Sequence, residues 1–128
     1  MKNIQIATEI KVYKDRTELP DDIFNLLVEA EQAAQKAYAK YSNFKVGAAV
    51  LLNNGLTISG NNQENAVYPT GLCAERTTVF YASSQYPEVP ILKIAITAIN
   101  AQNPLTIPVP PCGSCRQVLL EYEQKFNQ

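Results

Sequence analysis

The chain of 128 residues contains no histidine and only three cysteines. Without an imidazole group, Ser-His-Asp and Cys-His catalytic sites are excluded, and so is any metal site that needs a histidine ligand. Any chemistry must therefore use the side chains of Cys, Asp, Glu, Lys, Ser, Thr or Tyr. An odd number of cysteines in a reducing compartment favours metal binding or thiol chemistry over a disulfide framework.

The sequence also lacks long apolar runs and clusters of basic residues. No stretch has the roughly 18 consecutive apolar residues of a membrane span, and the first residues lack the apolar segment of a signal peptide. The 11 Lys and Arg residues are scattered along the chain and oppose 12 Asp and Glu, which gives a net charge of −1. These features predict a cytoplasmic protein that binds neither a membrane nor nucleic acid.

The composition, with 46% hydrophobic and 18% charged residues, is that of an ordinary globular domain. A weak alternation over residues 4–12 is compatible with a short strand or an extended arm. The remaining pattern predicts a helix that begins near Asp21, a β-hairpin over 45–52 and 56–60, a helix over 72–84, a strand over 91–99 and a helix that begins near Cys112.

Helices that alternate with strands predict an α/β sandwich with a mixed sheet, antiparallel at the hairpin and parallel at the crossover. The strand at 91–99 is apolar and β-branched, which is typical of strands buried on both faces. No internal repeat or linker divides the chain. Residues 1–128 are therefore predicted to form a single domain, with residues 1–18 as an N-terminal extension or arm.

Two cysteines, Cys112 and Cys115, open the last predicted helix. Residues at positions i and i+3 share one face of a helix, so both thiols can point at one ligand. The start of a helix also lowers the pKa of a thiol, whether its partner is a metal or another thiol. This pair alone is compatible with a metal site, a redox dithiol or an ordinary structural pair.

The third cysteine, Cys73, also stands at a predicted helix start. Structural zinc sites are usually closed by four protein ligands, whereas catalytic sites have three and keep the fourth position for water. If Cys73, Cys112 and Cys115 meet at one metal ion, they form an open site of the catalytic kind. Glu75 would then be placed to carry protons between water and a substrate.

An all-thiolate site needs a positive charge close to its ligands, because three anionic sulfurs reduce the Lewis acidity of the metal. Arg76 and Arg116 each follow a cysteine motif directly, and a hydrogen bond from either to a thiolate would restore electrophilicity. The alternative for both arginines is an ordinary ion pair at the surface.

Two further segments accompany the cysteine motifs, and the four occur in a fixed order. They are Tyr41-Ser42-Asn43-Phe44-Lys45-Val46-Gly47-Ala48-Ala49, Asn62-Gln63-Glu64-Asn65-Ala66, Cys73-Ala74-Glu75-Arg76 and Pro111-Cys112-Gly113-Ser114-Cys115-Arg116-Gln117. Together they resemble the zinc-dependent cytidine deaminases, in the three-cysteine form of the small homotetrameric enzymes. The resemblance covers about residues 20–124. It implies a three-layer α/β/α sandwich, from which the C-terminal strands of the family are absent in this chain.

The resemblance also implies the composition of the metal site. One zinc ion per chain would be held by Cys73, Cys112 and Cys115, with Arg76 beside the ligands. Glu75 would be the catalytic residue that is not itself a ligand, as in the zinc deaminases generally.

The substrate site implied by the resemblance lies in the same segments. Phe44 would stack on the pyrimidine, since an aromatic face suits a flat base. Asn62 and Glu64 would hydrogen-bond the ribose hydroxyls, and the backbone around Ala74 would contact the pyrimidine edge. A homotetramer is implied by the resemblance alone.

The implied activity is hydrolysis of a cyclic amidine: deamination of cytidine and deoxycytidine to the uridines with release of ammonia, in pyrimidine salvage. Two alternatives remain open. The chain could be a deaminase of a modified cytosine nucleoside, of the aminoacyl-nucleoside antibiotic type, or a non-catalytic structural zinc or dithiol module.

Overall fold

The computed structural model describes residues 1–100, 102 and 105–127, and these contain three α-helices and three β-strands. The helices are α1 (Asp21–Gln35), α2 (Ala74–Gln85) and α3 (Gly113–Lys125), and the strands are β1 (Phe44–Leu52), β2 (Thr57–Asn61) and β3 (Ile91–Asn100). Within the described residues, no helix combines the length and apolarity that crossing a membrane requires.

The strands form one sheet in the order β2-β1-β3. The predicted hairpin of β1 and β2 is confirmed, and its register pairs Val50 with Ile58. Gly55 closes the turn with φ 85°, in the left-handed region that glycine adopts without steric cost. The sequence Asn53-Asn54-Gly55 therefore determines where β1 ends and β2 begins.

The α/β class is confirmed, but the prediction of a mixed sheet is wrong for the described strands. Both β2 and β3 pair antiparallel with β1. The crossover through α2 does connect two strands of the same direction, β2 and β3, but β1 lies between them. No hydrogen-bonded pair in the described sheet is therefore parallel.

Helices cover both faces of the sheet and give the three layers that the resemblance implies. On one face, Ala49 of β1 packs against Leu26 and Ala30 of α1. On the other face, Val50 packs against Val79 of α2, and apolar residues of α3 contact the same cluster. Because successive side chains of a strand point to opposite faces, β1 is buried on both sides and is the centre of the core.

The close approach of α1 to β1 depends on Gly47. A Cβ atom at this position would lie 1.9 Å from the carbonyl oxygen of Ala30 and 2.6 Å from the backbone nitrogen of Ala34. Both are backbone atoms of α1, so the helix itself would have to move.

We expect Gly47→Ala to lower the free energy of unfolding by about 3 kcal/mol, as overpacking of a dense core does. The melting temperature followed by circular dichroism should fall by roughly 10 °C. Gly113→Ala is the matched control, because its Cβ would meet no atom within 4 Å. Equal melting temperatures for the two variants would contradict this packing.

The N-terminal residues do not form the short strand considered from their alternation. Residues 1–13 have no regular secondary structure, and Ile4, Ile6, Ile10 and Val12 are between 76% and 89% exposed. Alternation describes a strand only when a second strand satisfies its backbone groups, and these residues pair with no other strand in the described part of the chain. Their role as an extension or arm of a single domain stays a prediction.

The strand β3 is less buried than its apolar sequence predicts. Most of its side chains are half-buried and Leu92 is 49% exposed. Within residues 1–100, 102 and 105–127, β3 pairs only with β1, so it is an edge strand of the described sheet. The prediction of burial on both faces is therefore wrong for these residues.

Candidate active site

Three thiols converge where α2 and α3 begin. The Sγ atoms of Cys73, Cys112 and Cys115 lie within 4.8 Å of one another, and those of Cys112 and Cys115 are 3.5 Å apart. Cys73 is the N-cap residue of α2 and Cys112 that of α3, while Cys115 is buried in the first turn of α3. The structure therefore brings together the three ligands predicted from the sequence.

The spacing of these sulfurs suits a tetrahedral metal ion. Sulfurs about 2.3 Å from a zinc ion at tetrahedral angles are roughly 3.8 Å from one another. The distances of 3.5 Å for one pair and at most 4.8 Å for the others bracket this value. All three thiols are free of disulfide bonds.

The surroundings act in opposite directions on two of the thiols. The N–H and thiol groups of Cys115 lower the pKa of Cys112. Burial, together with the thiol of Cys112 and the charge of Glu75, raises the pKa of Cys115 to about 12. A thiol with so high a pKa becomes a ligand when a cation displaces its proton. The three sulfur atoms therefore form a set of ligands that suits a soft metal ion.

Of the two candidate arginines, Arg76 lies beside the thiols. Its Nη2 donates to the Sγ of Cys73 at 3.3 Å, and the interaction with this sulfur is the main reason why the pKa of Arg76 is raised. Arg116 is exposed and donates from Nε to the carbonyl oxygen of Pro111 at 2.9 Å. The geometry supports Arg76 as the cation close to the ligands.

The Glu75 side chain is buried in the first turn of α2, with 6% of the residue exposed. It follows the N-cap residue Cys73 by two positions, and its negative charge contributes to the raised pKa of Cys115. Within the described residues, no hydrogen bond or ion pair engages this carboxylate. A carboxylate without a protein partner beside potential metal ligands is of the kind found preferentially at functional sites.

A cavity of about 700 Å³ opens beside the thiols. Its walls include Cys73 and Arg76 at one end, together with Asn62 and Glu64. A cavity of this size accommodates a small organic molecule. Phe44 begins β1 and does not line the cavity, although its neighbour Ser42 does.

Asn62 follows β2 and turns its side-chain amide toward β1. Its Oδ1 accepts the N–H of Val46 at 2.8 Å, and its Nδ2 donates to the carbonyl oxygen of Phe44 at 3.0 Å. Asn62 therefore combines a place in the cavity wall with a structural contact to the strand that carries Phe44.

Glu64 contacts the loop before β1. Its Oε1 accepts the N–H groups of Tyr41 at 2.8 Å and Ser42 at 3.1 Å. The Ser42 hydroxyl and these N–H groups lower the pKa of Glu64, so the carboxylate is ionised near neutral pH. Sequence reasoning assigned no role to Tyr41 or Ser42, although both belong to a segment that it singled out.

Ala74 is fully buried at the first position of α2, between Cys73 and Glu75. Its carbonyl oxygen accepts the hydroxyl of Thr78 at 2.7 Å. N–H groups in the first turn of a helix have no partner within the helix. The backbone at Ala74 is thus able to donate toward a group bound beside the thiols.

The α/β/α sandwich with a sulfur cluster at two helix starts defines a class of zinc-binding deaminase domains. Residues 21–126 match the family model described as the cytidine and deoxycytidylate deaminase zinc-binding region. The chain belongs to this family.

Individual relatives also match over most of the chain. It is 47% identical over 96 residues to the cytidine deaminase of Halalkalibacterium halodurans, which covers 75% of this chain and 68% of that protein. It is 40% identical over 101 residues to the cytidine deaminase of Sporosarcina psychrophila, over 79% of this chain and 70% of that protein.

Solved structures give the same result. The cytidine deaminase from Burkholderia pseudomallei superposes with a TM-score of 0.68 at 43% identity, over 77% of this chain and 74% of that chain. The cytidine deaminase from Mycobacterium tuberculosis superposes with a TM-score of 0.68 at 40% identity, over 80% of this chain and 79% of that chain. These neighbours confirm the predicted fold class.

Proposed function

We propose that the chain is a zinc-dependent cytidine deaminase, a hydrolase that converts cytidine and deoxycytidine to the uridines with release of ammonia. The observation that carries the proposal is the convergence of Cys73, Cys112 and Cys115 beside the buried carboxylate of Glu75 and next to a cavity. Membership of the family and relatives at 40–47% identity that are named cytidine deaminase support it.

The three thiols would hold one zinc ion per chain. The chemistry that zinc supplies when bound is the activation of a water molecule for attack on C4 of the pyrimidine. Arg76 donates a hydrogen bond to Cys73 and so draws negative charge away from that sulfur. This contact offsets part of the electron donation from an all-thiolate ligand set.

Glu75 would carry the protons of the reaction. It would accept a proton from the attacking water and deliver it to N3 of the ring. It would then take the remaining proton from the hydroxyl added at C4 and give it to the amino nitrogen, so that the C4–N bond breaks, ammonia leaves and the carbonyl of uridine forms. One carboxyl group can act first as base and then as acid because it alternates between its two protonation states.

The nucleoside would be bound by the residues around the cavity. In this proposal Phe44 stacks on the pyrimidine and the backbone at Ala74 contacts its edge. Asn62 and Glu64 form hydrogen bonds with the ribose hydroxyls. The position of Asn62 and Glu64 in the cavity wall supports this assignment. A carboxylate has about four acceptor positions, so Glu64 can accept a ribose hydroxyl while it holds two backbone N–H groups.

A homotetramer and a cytoplasmic place in pyrimidine salvage belong to the same proposal. Their support is membership of the family together with relatives named cytidine deaminase, a name that gives a small nucleoside as the substrate of those proteins. The balanced net charge of −1 agrees with a substrate that is not a polyanion.

The activity is tested with zinc-loaded protein and cytidine, by following ultraviolet absorbance and released ammonia together. We expect equimolar uridine and ammonia. Parallel reactions with deoxycytidine and with an aminoacyl-nucleoside antibiotic distinguish cytidine deamination from deamination of a modified cytosine nucleoside. Turnover of the antibiotic without turnover of cytidine would show that the chain is instead a deaminase of a modified cytosine nucleoside. A protein that binds no metal and forms a reversible Cys112–Cys115 disulfide would favour a dithiol module.

Replacement of the cation beside the sulfurs should slow the reaction without removing zinc. We expect Arg76→Gln to lower kcat by about tenfold, in the range found when partners of metal ligands are lost. Arg116→Gln is the matched control and should stay within about twofold, because among the described residues the Arg116 side chain donates only to the backbone carbonyl of Pro111 and to no thiol. Zinc content and steady-state kinetics are measured for both, and equal kcat values would refute the role of Arg76.

A further inference from the structure

The first residues of β1 extend beyond the end of β2. The register pairs Gly47 with Asn61, the last residue of β2, so Phe44 and Val46 have no β2 residue opposite them. Side chains take the place of the missing strand. Asn62 engages the N–H of Val46 and the carbonyl of Phe44, at 2.8 and 3.0 Å.

The remaining backbone group of Phe44 on this side is satisfied by Ser42. The N–H of Phe44 donates to the Ser42 Oγ at 3.1 Å. The chain turns sharply between the two residues, because Asn43 adopts φ 54°, a left-handed conformation that asparagine tolerates better than most residues. Phe44 is therefore held at its N–H by Ser42 and at its carbonyl by Asn62.

Ser42 also contacts Glu64. Its N–H donates to the Glu64 Oε1 at 3.1 Å. Its hydroxyl has one hydrogen to donate while Oγ accepts from Phe44, and this hydroxyl is the main cause of the lowered pKa of Glu64. Ser42, a serine in an exposed loop, thus contacts both Phe44, which is assigned to the pyrimidine ring, and Glu64, which is assigned to the ribose.

We propose that Ser42 is a positioning residue for nucleoside recognition, which fixes the Glu64 carboxylate and the Phe44 backbone relative to each other. The inference rests on the proposed function, since that assigns Phe44 and Glu64 to the two halves of the nucleoside. A preformed arrangement avoids the ordering of loop and side chains on binding. Ser42 acts through its neighbours and need not touch the substrate.

The kinetic test compares Ser42→Ala with Ser42→Thr and Ser59→Ala. Removal of the hydroxyl should raise KM for cytidine about tenfold and leave kcat within about twofold, because binding of substrate and transition state is weakened alike. Ser42→Thr keeps a hydroxyl and should restore KM to within about threefold. Ser59, exposed on β2, is the control and should leave KM unchanged. An unchanged KM in Ser42→Ala, or a fall in kcat alone, would overturn the proposal.

Amide hydrogen exchange without substrate tests the same contact independently of activity. In Ser42→Ala the N–H of Phe44 loses its acceptor and should exchange at least about tenfold faster, while the N–H of Val46, which Asn62 holds, should not change. Equal exchange at Phe44 in the variant and the wild type overturns the positioning role. Failure of the wild type to convert cytidine overturns the proposed function instead, so the two failures are distinguishable.

Discussion

Glu75→Gln is expected to retain about one zinc ion per chain and to lose cytidine turnover by a factor of about 10² to 10⁴, the range of general acid–base catalysis. The amide has the size of the carboxyl group but neither accepts nor releases a proton at neutral pH. Glu75 is buried in the first turn of α2, two residues after Cys73, and its charge acts on the thiol of Cys115. The measurement is steady-state kinetics together with metal content.

The matched control for this variant is Glu88→Gln, at an exposed position. It removes the same charge from the chain and should leave kcat within about twofold. Near-normal turnover by Glu75→Gln would remove Glu75 from the proton-transfer role. Loss of zinc from Glu75→Gln would show that the residue supports the metal site rather than the proton transfers.

Cys73→Ala is expected to lose the metal and much of the stability of the protein together. Only Cys112 and Cys115 would remain, fewer than the three protein ligands of a catalytic zinc site. Because zinc binds the folded chain, its binding free energy contributes to folding, and this contribution disappears with the ligand. We expect less than about 0.1 zinc per chain and a melting temperature that a chelator no longer changes.

The control for Cys73→Ala is Ser114→Ala, which lies between the two other cysteines and keeps all three thiols. It should retain about one zinc per chain and a melting temperature that falls when a chelator is added. A Cys73→Ala variant with full zinc content and unchanged stability would show that Cys73 is not a ligand.

The elements formed by local signals could be predicted from the sequence. The hairpin follows from Asn53-Asn54-Gly55, whose last residue takes the left-handed conformation that the turn needs. The sequence predicts the start of α2 to within two residues and that of α3 to within about one. The spacing of Cys112 and Cys115 correctly placed two thiols on one face.

The arrangement of these elements could not be predicted in the same way. The order β2-β1-β3 and the close approach of α1 to β1 at Gly47 both join parts of the chain that are distant in sequence. The approach of Cys73 to the other two thiols depends equally on the packing of α2 and α3 against one sheet face. It was expected only because the segments resemble a family.

The contacts of Ser42 show why substrate residues are harder to predict than metal ligands. Cysteines with a fixed spacing carry a chemical signature, whereas a serine in a loop has many ordinary roles. Its importance follows from the length of β1 relative to β2, which leaves the backbone of Phe44 without a strand partner. That difference in length is visible only in the folded chain.

The most direct test of the central claim is a titration of metal-free protein with zinc, in which cytidine turnover and bound zinc are measured on the same samples. The three-thiol site predicts that turnover rises in proportion to bound zinc and reaches its limit at about one zinc ion per chain. Full turnover by protein without metal, or a limit that bears no relation to bound zinc, would contradict the claim that Cys73, Cys112 and Cys115 form the catalytic metal site.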